Sequence, residues 1–294
     1  MTIYDGRRTT GLGLDRSGFE LIAHKSSLGD WESFSDAEIV KAVDYPEVTV
    51  ALKRRTGASK VVIFDHTLRD STAPPGRAAL REPVRRVHDD QTFRSAPDRV
   101  HKHLTPKEAA WRLQRRFAVI NFWRSIGGRV QRALLAVCDA RTIKPDDLIP
   151  SDLVYPDWTG ETYAFAFSPL HRWYWYPQQS PREATLLKIY DSATDGQARL
   201  TAQQPLTCRI RRRRSRLLRG AALSCGPWSS GDAVSWSWYG SRLVAIEESL
   251  LAIWGGAEGF CETVIPVIGS ACLDRDLYLL VASVKDTSLP NVPS

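Results

Sequence analysis

The sequence lacks the features that mark several common classes of protein. Its five cysteines are scattered, and none has the Cys-x-x-Cys spacing of a zinc or redox site. No uninterrupted apolar run approaches the roughly twenty residues that a membrane span needs. No charged segment followed by an apolar stretch opens the chain. We therefore expect reduced thiols, no membrane partner and a cytoplasmic location.

Composition is otherwise ordinary, except for one basic run. Of the 294 residues 43% are hydrophobic, which is typical of a globular protein with a sizeable core. The net charge is +7, and much of the excess lies at residues 209–216. This run has three interpretations: a nucleic-acid patch, a targeting signal, or noncoding-like sequence translated out of frame. We rank the last first and expect no nucleic acid as a partner, because a basic run without a reading helix or stacking platform is weak support for one.

Short strands dominate the predicted secondary structure. β-branched, apolar or alternating segments predict strands at 59–65, 83–88, 117–123, 163–168, 171–176 and 184–190. Many short strands with few helices favour a barrel or jelly roll over a parallel α/β sheet. We therefore predict a mainly β fold with flanking helices.

Helices are predicted at fewer places. Thr105 is a suitable N-cap and is followed by Pro106 and Glu108, a pattern that predicts a helix to about residue 116. Residues 35–40 predict a short capped helix, and residues 46–53 fit either a helix or a strand. The segment 145–150 is interpreted as a loop.

A His-x-Asp triplet is the most informative motif of the chain. His88 and Asp90 stand two residues apart at the end of a predicted strand, so their side chains share a face that Asp89 does not. Imidazole and carboxylate at this spacing fit the first two ligands of a facial triad that holds non-haem Fe(II). The alternative is a hydrogen-bonded surface pair. We favour metal ligation, which requires a third ligand elsewhere in the chain.

Six motifs occur in an order that resembles a known family. They are Val62–Arg69, Val87–Thr92, Asn121–Ile126, Leu135–Ala140, Phe167–Tyr174 and Leu187–Ser192. As a set, spread over roughly residues 60–192, they resemble a fungal hydroxylase/desaturase family of the asaB type. Its members include the aspergillic acid hydroxylase, a gibberellin desaturase and relatives of the cephamycin methoxylation protein.

The resemblance implies oxidation of a small secondary metabolite on a double-stranded β-helix, with Fe(II) and 2-oxoglutarate as cofactors. Hydroxylation and desaturation both stay open as outcomes. Candidates for the cosubstrate or substrate pocket come from the matching motifs, namely Arg69, Asn121, Arg124, Tyr174 and Lys188. The alternative for Arg124 is a salt bridge beside the core, and aromatic strands often only fill a core.

The chain departs from the family pattern near residue 200. The resemblance implies a Pro-His-Thr-Ala-Phe-like element there, whose His is the distal iron ligand, but the chain has Thr201–Gln204. The third ligand is therefore missing, or else it is His171, whose alternative role is to order the neighbouring aromatic strand. A Pro-Pro-Arg-Glu-Ser-like element, whose Arg would hold the cosubstrate carboxylate, is replaced by the arginine run at 209–216.

This departure divides the chain into two predicted parts. Residues 1–200 form an oxygenase-like domain, and residues 201–294 are a divergent region, either frame-shifted or poorly ordered. The β-helix is then incomplete at its C-terminal side. Three functions follow in order of preference: a hydroxylase/desaturase-like oxidoreductase, a catalytically inactive remnant of the family, and a basic nucleic-acid-binding module.

Overall fold

Strands make up most of the computed structural model, which describes residues 2–70, 84, 86–130, 134–154, 159–206, 223–224 and 244–253. The strands are β1 Thr2–Asp5, β2 Phe19–Ala23, β3 Lys60–Asp70, β4 His88–Asp89, β5 Phe117–Ile126, β6 Leu134–Cys138, β7 Leu148–Val154, β8 Thr159–Phe165, β9 Trp173–Trp175, β10 Glu183–Asp191, β11 Gln203–Leu206, β12 Leu223–Ser224 and β13 Val244–Ile253. The helices are α1 Trp31–Ser35, α2 Ala37–Ile39, α3 Tyr45–Thr56, α4 Ala96–His103 and α5 Pro106–Leu113. The predicted mainly β fold with flanking helices is confirmed.

The strands form two sheets that face each other. Eight strands lie in the order β12-β1-β9-β6-β11-β4-β8-β7, and five lie in the order β2-β10-β5-β13-β3. All described strand pairs are antiparallel except β1 with β9. A hydrogen bond joins Asp90, at the end of β4, to Asn121 in β5, so the His-x-Asp triplet faces the space between the sheets.

The central strands were predictable because they are apolar on both faces. Every residue of β5 is buried, and so is every residue of β10 after Glu183. The predicted loop at 145–150 is wrong in its second half, where β7 begins at Leu148. Pro150 weakened that strand signal, but β7 is the last strand of its sheet, and an edge strand tolerates proline.

The helices begin and end at recognisable signals. Residues 46–53, which fit helix or strand in the sequence, belong to α3. This helix ends at Thr56, and its C-cap residue Gly57 has φ +77°. Only glycine adopts that left-handed conformation without strain. For α5 the predicted N-cap is confirmed, because the Thr105 side chain accepts a hydrogen bond from the Glu108 backbone N–H at 3.3 Å.

The two faces of β5 meet different partners. Because side chains alternate along a strand, Asn121 and Trp123 face the eight-stranded sheet, whereas Phe122 and Arg124 face away from it. The helices α1 to α3 cover this outer face. Their contacts form a separate apolar cluster, whose buried members are Phe34, Val40, Leu68 and Ile126.

Strands from beyond residue 200 contribute to both sheets. β11 lies between β6 and β4 in the larger sheet, and β13 lies between β5 and β3 in the smaller one. The division of the chain at residue 200 stays a prediction, as does the frame shift. The arginine run at 209–216 lies outside the described residues. In the part of the chain that the structure describes, no helix is long and apolar enough to span a membrane.

One glycine fixes the path of the segment that leads into β11. Gly18 has φ +84°, and a Cβ added there would lie 2.7 Å from the carbonyl oxygen of Leu200. The Gly18 carbonyl also accepts a hydrogen bond from the Lys188 backbone N–H at 2.7 Å. A side chain at this position would therefore push apart two backbones that the sheet holds together.

Gly18→Ala is expected to lower the free energy of unfolding by about 3 kcal/mol, because left-handed strain adds to a backbone clash. Gly127→Ala is the matched control, since Gly127 has φ +75° with nothing within 4 Å of an added Cβ. It should cost only about 1 kcal/mol. Urea denaturation of both variants measures the difference, and equal losses would contradict the role given to the Leu200 contact.

Candidate metal centre

His88 is the first residue of β4. A hydrogen bond of its ring defines the tautomer. Its Nδ1 lies 2.8 Å from the backbone carbonyl oxygen of Arg86. A carbonyl oxygen can only accept, so Nδ1 carries the proton and donates it. In the neutral ring Nε2 then bears an open lone pair. This is the arrangement in which an outer hydrogen bond orients a metal-binding histidine.

Asp90 supplies a second lone pair directed at the first. Its Oδ1 lies 3.5 Å from His88 Nε2, and the Asp90 side chain is only 4% exposed. Two acceptors facing each other in a buried place repel unless a positive charge, a proton or a metal ion, lies between them. His88 and Asp90 therefore fit a metal ion as one imidazole and one carboxylate ligand.

The intervening Asp89 has a different environment. It is fully buried, and its Oδ2 has no hydrogen-bond partner. Burial, with the Asp90 charge beside it, raises the pKa of the Asp89 carboxyl well above its usual range. The Asp89 carboxyl is therefore easier to protonate than an exposed aspartate.

Two amides hold the other oxygen of Asp90, one from each sheet. Asn121 Nδ2 donates to Asp90 Oδ2 at 2.7 Å, and Gln203 Nε2 donates to the same oxygen at 3.0 Å. Gln203 is the first residue of β11 and stands directly opposite His88 on β4. Asn121 is fully buried and Gln203 is 4% exposed. The carboxylate is thus fixed, with Oδ2 hydrogen-bonded and Oδ1 turned toward His88.

The segment Thr201–Gln204, where the family resemblance implies a third imidazole, thus brings the Gln203 amide to Asp90. His171, the alternative ligand, lies before β9, and its Nε2 contacts Asp147 Oδ2 at 3.0 Å instead. Among the described residues, no three His, Cys, Asp or Glu side chains form a group that could hold a metal ion. The described part of the centre thus supplies two strong metal donors. The run at 209–216, which replaces the element expected to carry the cosubstrate arginine, lies outside the described residues.

Arg124 lies on the outer face of β5, away from the metal centre. It forms an ion pair with Asp44, and the two side chains are 2% and 0% exposed. Its guanidinium also lies over the Phe34 ring, 4.9 Å from the centroid, and Ser26 Oγ donates to Asp44 Oδ1 at 2.8 Å. These contacts match the structural alternative for Arg124, a salt bridge beside the core.

Lys188 is also used by a structural ion pair. It pairs across the strands with Ile120, the neighbour of Asn121, so it faces away from the centre. Its Nζ lies 2.6 Å from Asp15 Oδ1 and 2.7 Å from Asp191 Oδ2. Asp15 and Asp191 thereby balance the charge of the buried Lys188 ammonium near the end of β10.

Tyr174 and Arg69 lie nearer to the interior between the sheets. Tyr174, Val137, Gln203 and His88 form one row across four adjacent strands. Tyr174 is buried there, and burial raises the pKa of its hydroxyl. Arg69 belongs to the row of Ser125, so it shares the inner face of the smaller sheet with Asn121. Both stay candidates for the pocket.

Sequence reasoning missed the contact of Gln203 and Asn121 with Asp90. Asn121 had been a candidate for the pocket, and Thr201–Gln204 had been recognised as the departure from the family pattern. The register that sets Gln203 opposite His88 has no local signal, because β11 is four residues long and includes a proline. The useful signal was the position at which the chain departs from the family pattern, and not the residue types found there.

Comparison with known proteins assigns the chain to a family. A family model described as an oxidoreductase/YMDC permease-like domain matches residues 1–213. The alpha-ketoglutarate-dependent dioxygenase phiK of Fungal sp. (strain ATCC 74256) is 36% identical over 194 residues, covering 62% of this chain and 67% of that protein. The hydroxylase/desaturase efuI of Hormonema carpetanum is 30% identical over 223 residues, covering 68% and 74%. This chain belongs to the fungal hydroxylase/desaturase family. The predicted family is confirmed.

A solved structure of the family supports the fold as well. The iron and alpha-ketoglutarate-dependent endoperoxidase NvfI superposes with a TM-score of 0.66 at 26% identity, covering 83% of this chain and 81% of that one. The predicted oxygenase-type jelly roll is thereby confirmed. The chain spans about two thirds of the length of the relatives it matches, 67% of phiK and 64% of tstK from Talaromyces stipitatus.

Asp44→Ala is expected to lower the free energy of unfolding by about 3 to 5 kcal/mol, because it leaves the Arg124 charge buried without its carboxylate. Glu38→Ala is the control, since the ion pair of Glu38 with Lys41 has side chains 82% and 52% exposed. That change should cost about 1 kcal/mol or less. Urea denaturation provides the measurement, and a small loss for Asp44→Ala would show that the pair is not structural.

Proposed function

We propose that the chain is an Fe(II)/2-oxoglutarate-type oxidoreductase acting on a small molecule, with His88 and Asp90 as iron ligands. The observation that carries the proposal is the convergence of His88 Nε2 and Asp90 Oδ1, 3.5 Å apart, with the Asp90 side chain buried and the His88 side chain half-buried. The family supports it, because its members include proteins named as dioxygenases, hydroxylases and hydroxylase/desaturases.

The residues of this chain have separable roles in the proposal. His88 and Asp90 would bind the metal, the Arg86 carbonyl sets the tautomer of His88, and Asn121 orients Asp90. Burial between the sheets excludes water. Iron held by these residues would activate molecular oxygen while 2-oxoglutarate supplies two electrons, which would give an oxidant able to remove hydrogen from an unactivated carbon.

The substrate would lie along the inner face of the smaller sheet. Trp123 and Arg69 share that face with Asn121, and together they offer an apolar ring and a cation to a small metabolite. Tyr174 extends the same interior on the opposite sheet. We keep Arg124 and Lys188 out of this pocket because structural ion pairs engage both. The cytoplasmic location and the absence of a nucleic-acid partner stay predictions.

A second candidate is a family member that no longer catalyses. The observation that favours it is Gln203, an amide in the place where the family pattern implies the distal histidine. Neutral amides are weaker ligands for iron than imidazoles. In this candidate the jelly roll persists while the metal is held too weakly for turnover.

An anaerobic Fe(II) titration of the full chain separates the two candidates. We expect one Fe(II) per chain, with His88→Ala and Asp90→Asn each weakening the affinity at least tenfold because each removes a ligand. His171→Ala is the control, and it should leave the affinity unchanged because His171 is paired with Asp147. In a separate assay with oxygen admitted, Fe(II)-dependent conversion of 2-oxoglutarate and O2 to succinate and CO2, lost in His88→Ala, would complete the support.

The opposite result is equally clear. If wild type shows no Fe(II) binding that depends on His88, the oxidoreductase proposal fails and the non-catalytic candidate replaces it. If His171→Ala abolishes binding, the assignment of the ligands is wrong.

A further inference from the structure

We propose that Gln203 acts on the metal through Asp90, as a positioning residue, and is not itself a metal ligand. This inference rests on the proposed metal site at His88 and Asp90. It implies that the described part of the centre has two protein ligands, His88 and Asp90.

The first argument is that the two carboxylate oxygens of Asp90 make different contacts. Oδ2 accepts hydrogen bonds from Asn121 and Gln203, whereas Oδ1 faces His88 Nε2. Hydrogen bonds to the outer oxygen of a ligating carboxylate orient it and tune the metal. Gln203 therefore makes the same contact as Asn121, a residue anchored on the opposite sheet.

The second argument is that the charge on Asp90 fixes the orientation of the Gln203 amide. If the amide were turned end for end, its carbonyl oxygen would face the carboxylate oxygen about 3 Å away, and both atoms accept. Such a contact is costly in a buried place. The N–H of Gln203 therefore stays on Asp90.

The third argument is the backbone. β11 is hydrogen-bonded on both sides, with Gln203 opposite His88 on β4 and opposite Val137 on β6. The strand cannot shift toward the metal without breaking both registers. The neighbouring Gln204 points to the other face of the sheet, which makes it a matched control.

Co(II) provides the probe, because its d–d absorption reports the ligand set and its titration gives the affinity. The metal-free full chain is compared with Gln203→Met, which keeps the length of the side chain but removes the donor. We expect Gln203→Met to retain the wild-type d–d spectrum and to bind Co(II) about tenfold more weakly, as loss of an outer hydrogen bond does. Gln204→Met should match wild type in both measurements.

Gln203→His tests whether the described part of the centre can take a third ligand. Under the proposal the new imidazole becomes a ligand, so the d–d spectrum changes and the affinity rises at least tenfold; an unchanged spectrum and affinity would contradict it. If Gln203 is already a ligand through its oxygen, Gln203→Met removes that ligand and alters the spectrum, and this result overturns the proposal. Should Gln203→Met not fold, Gln203→Ala replaces it in the same comparison.

His88→Ala in the same titration separates this inference from the proposed function. Loss of Co(II) binding there, together with an altered spectrum in Gln203→Met, rejects only the role of Gln203. Co(II) binding that survives in His88→Ala rejects the metal site itself, and the inference about Gln203 fails with it.

Discussion

A carboxylate buried between two sheets must be compensated, and the compensation of Asp90 ties the two sheets together. Taking an unpaired carboxylate out of water costs several kcal/mol. Asn121 meets this requirement from the five-stranded sheet and Gln203 from the eight-stranded one. The two hydrogen bonds hold β5 and β11, which lie in different sheets, at a defined distance from each other around the His-x-Asp triplet. The proposed metal binding and the stability of the fold thus depend on the same carboxylate, each through a different oxygen.

Two of the three buried cations considered for the pocket are engaged elsewhere. Arg124 meets Asp44 on the outer face, and Lys188 meets Asp15 and Asp191 near the end of β10. Strand alternation separates these pairs from the centre by the thickness of a sheet. The interior around Asp90 is consequently left to amides, an imidazole, aromatic rings and the single cation Arg69 among the pocket candidates.

The fold was largely predictable from the sequence, whereas the centre was predictable only in part. Apolar runs predicted β3, β5 and β10, of which β5 and β10 are covered on both faces, and cap residues predicted α5. The short strand β11 has no such signal, since its position is set by pairing with distant strands. The motif around Arg124 identified the family without indicating which face the side chain occupies. A family motif preserves sequence, and the pleat of the sheet decides where each side chain points.

The order of strands in the smaller sheet has a consequence for how the molecule is made. β13, at residues 244–253, lies between β3 and β5, which precede it by more than a hundred residues. During synthesis the adjoining edges of β3 and β5 therefore stay unpaired by β13 until residues 244–253 have left the ribosome. Pairings over such separations close slowly, and exposed edges invite association with other chains. Newly made chains would accordingly depend on chaperone protection until β13 inserts.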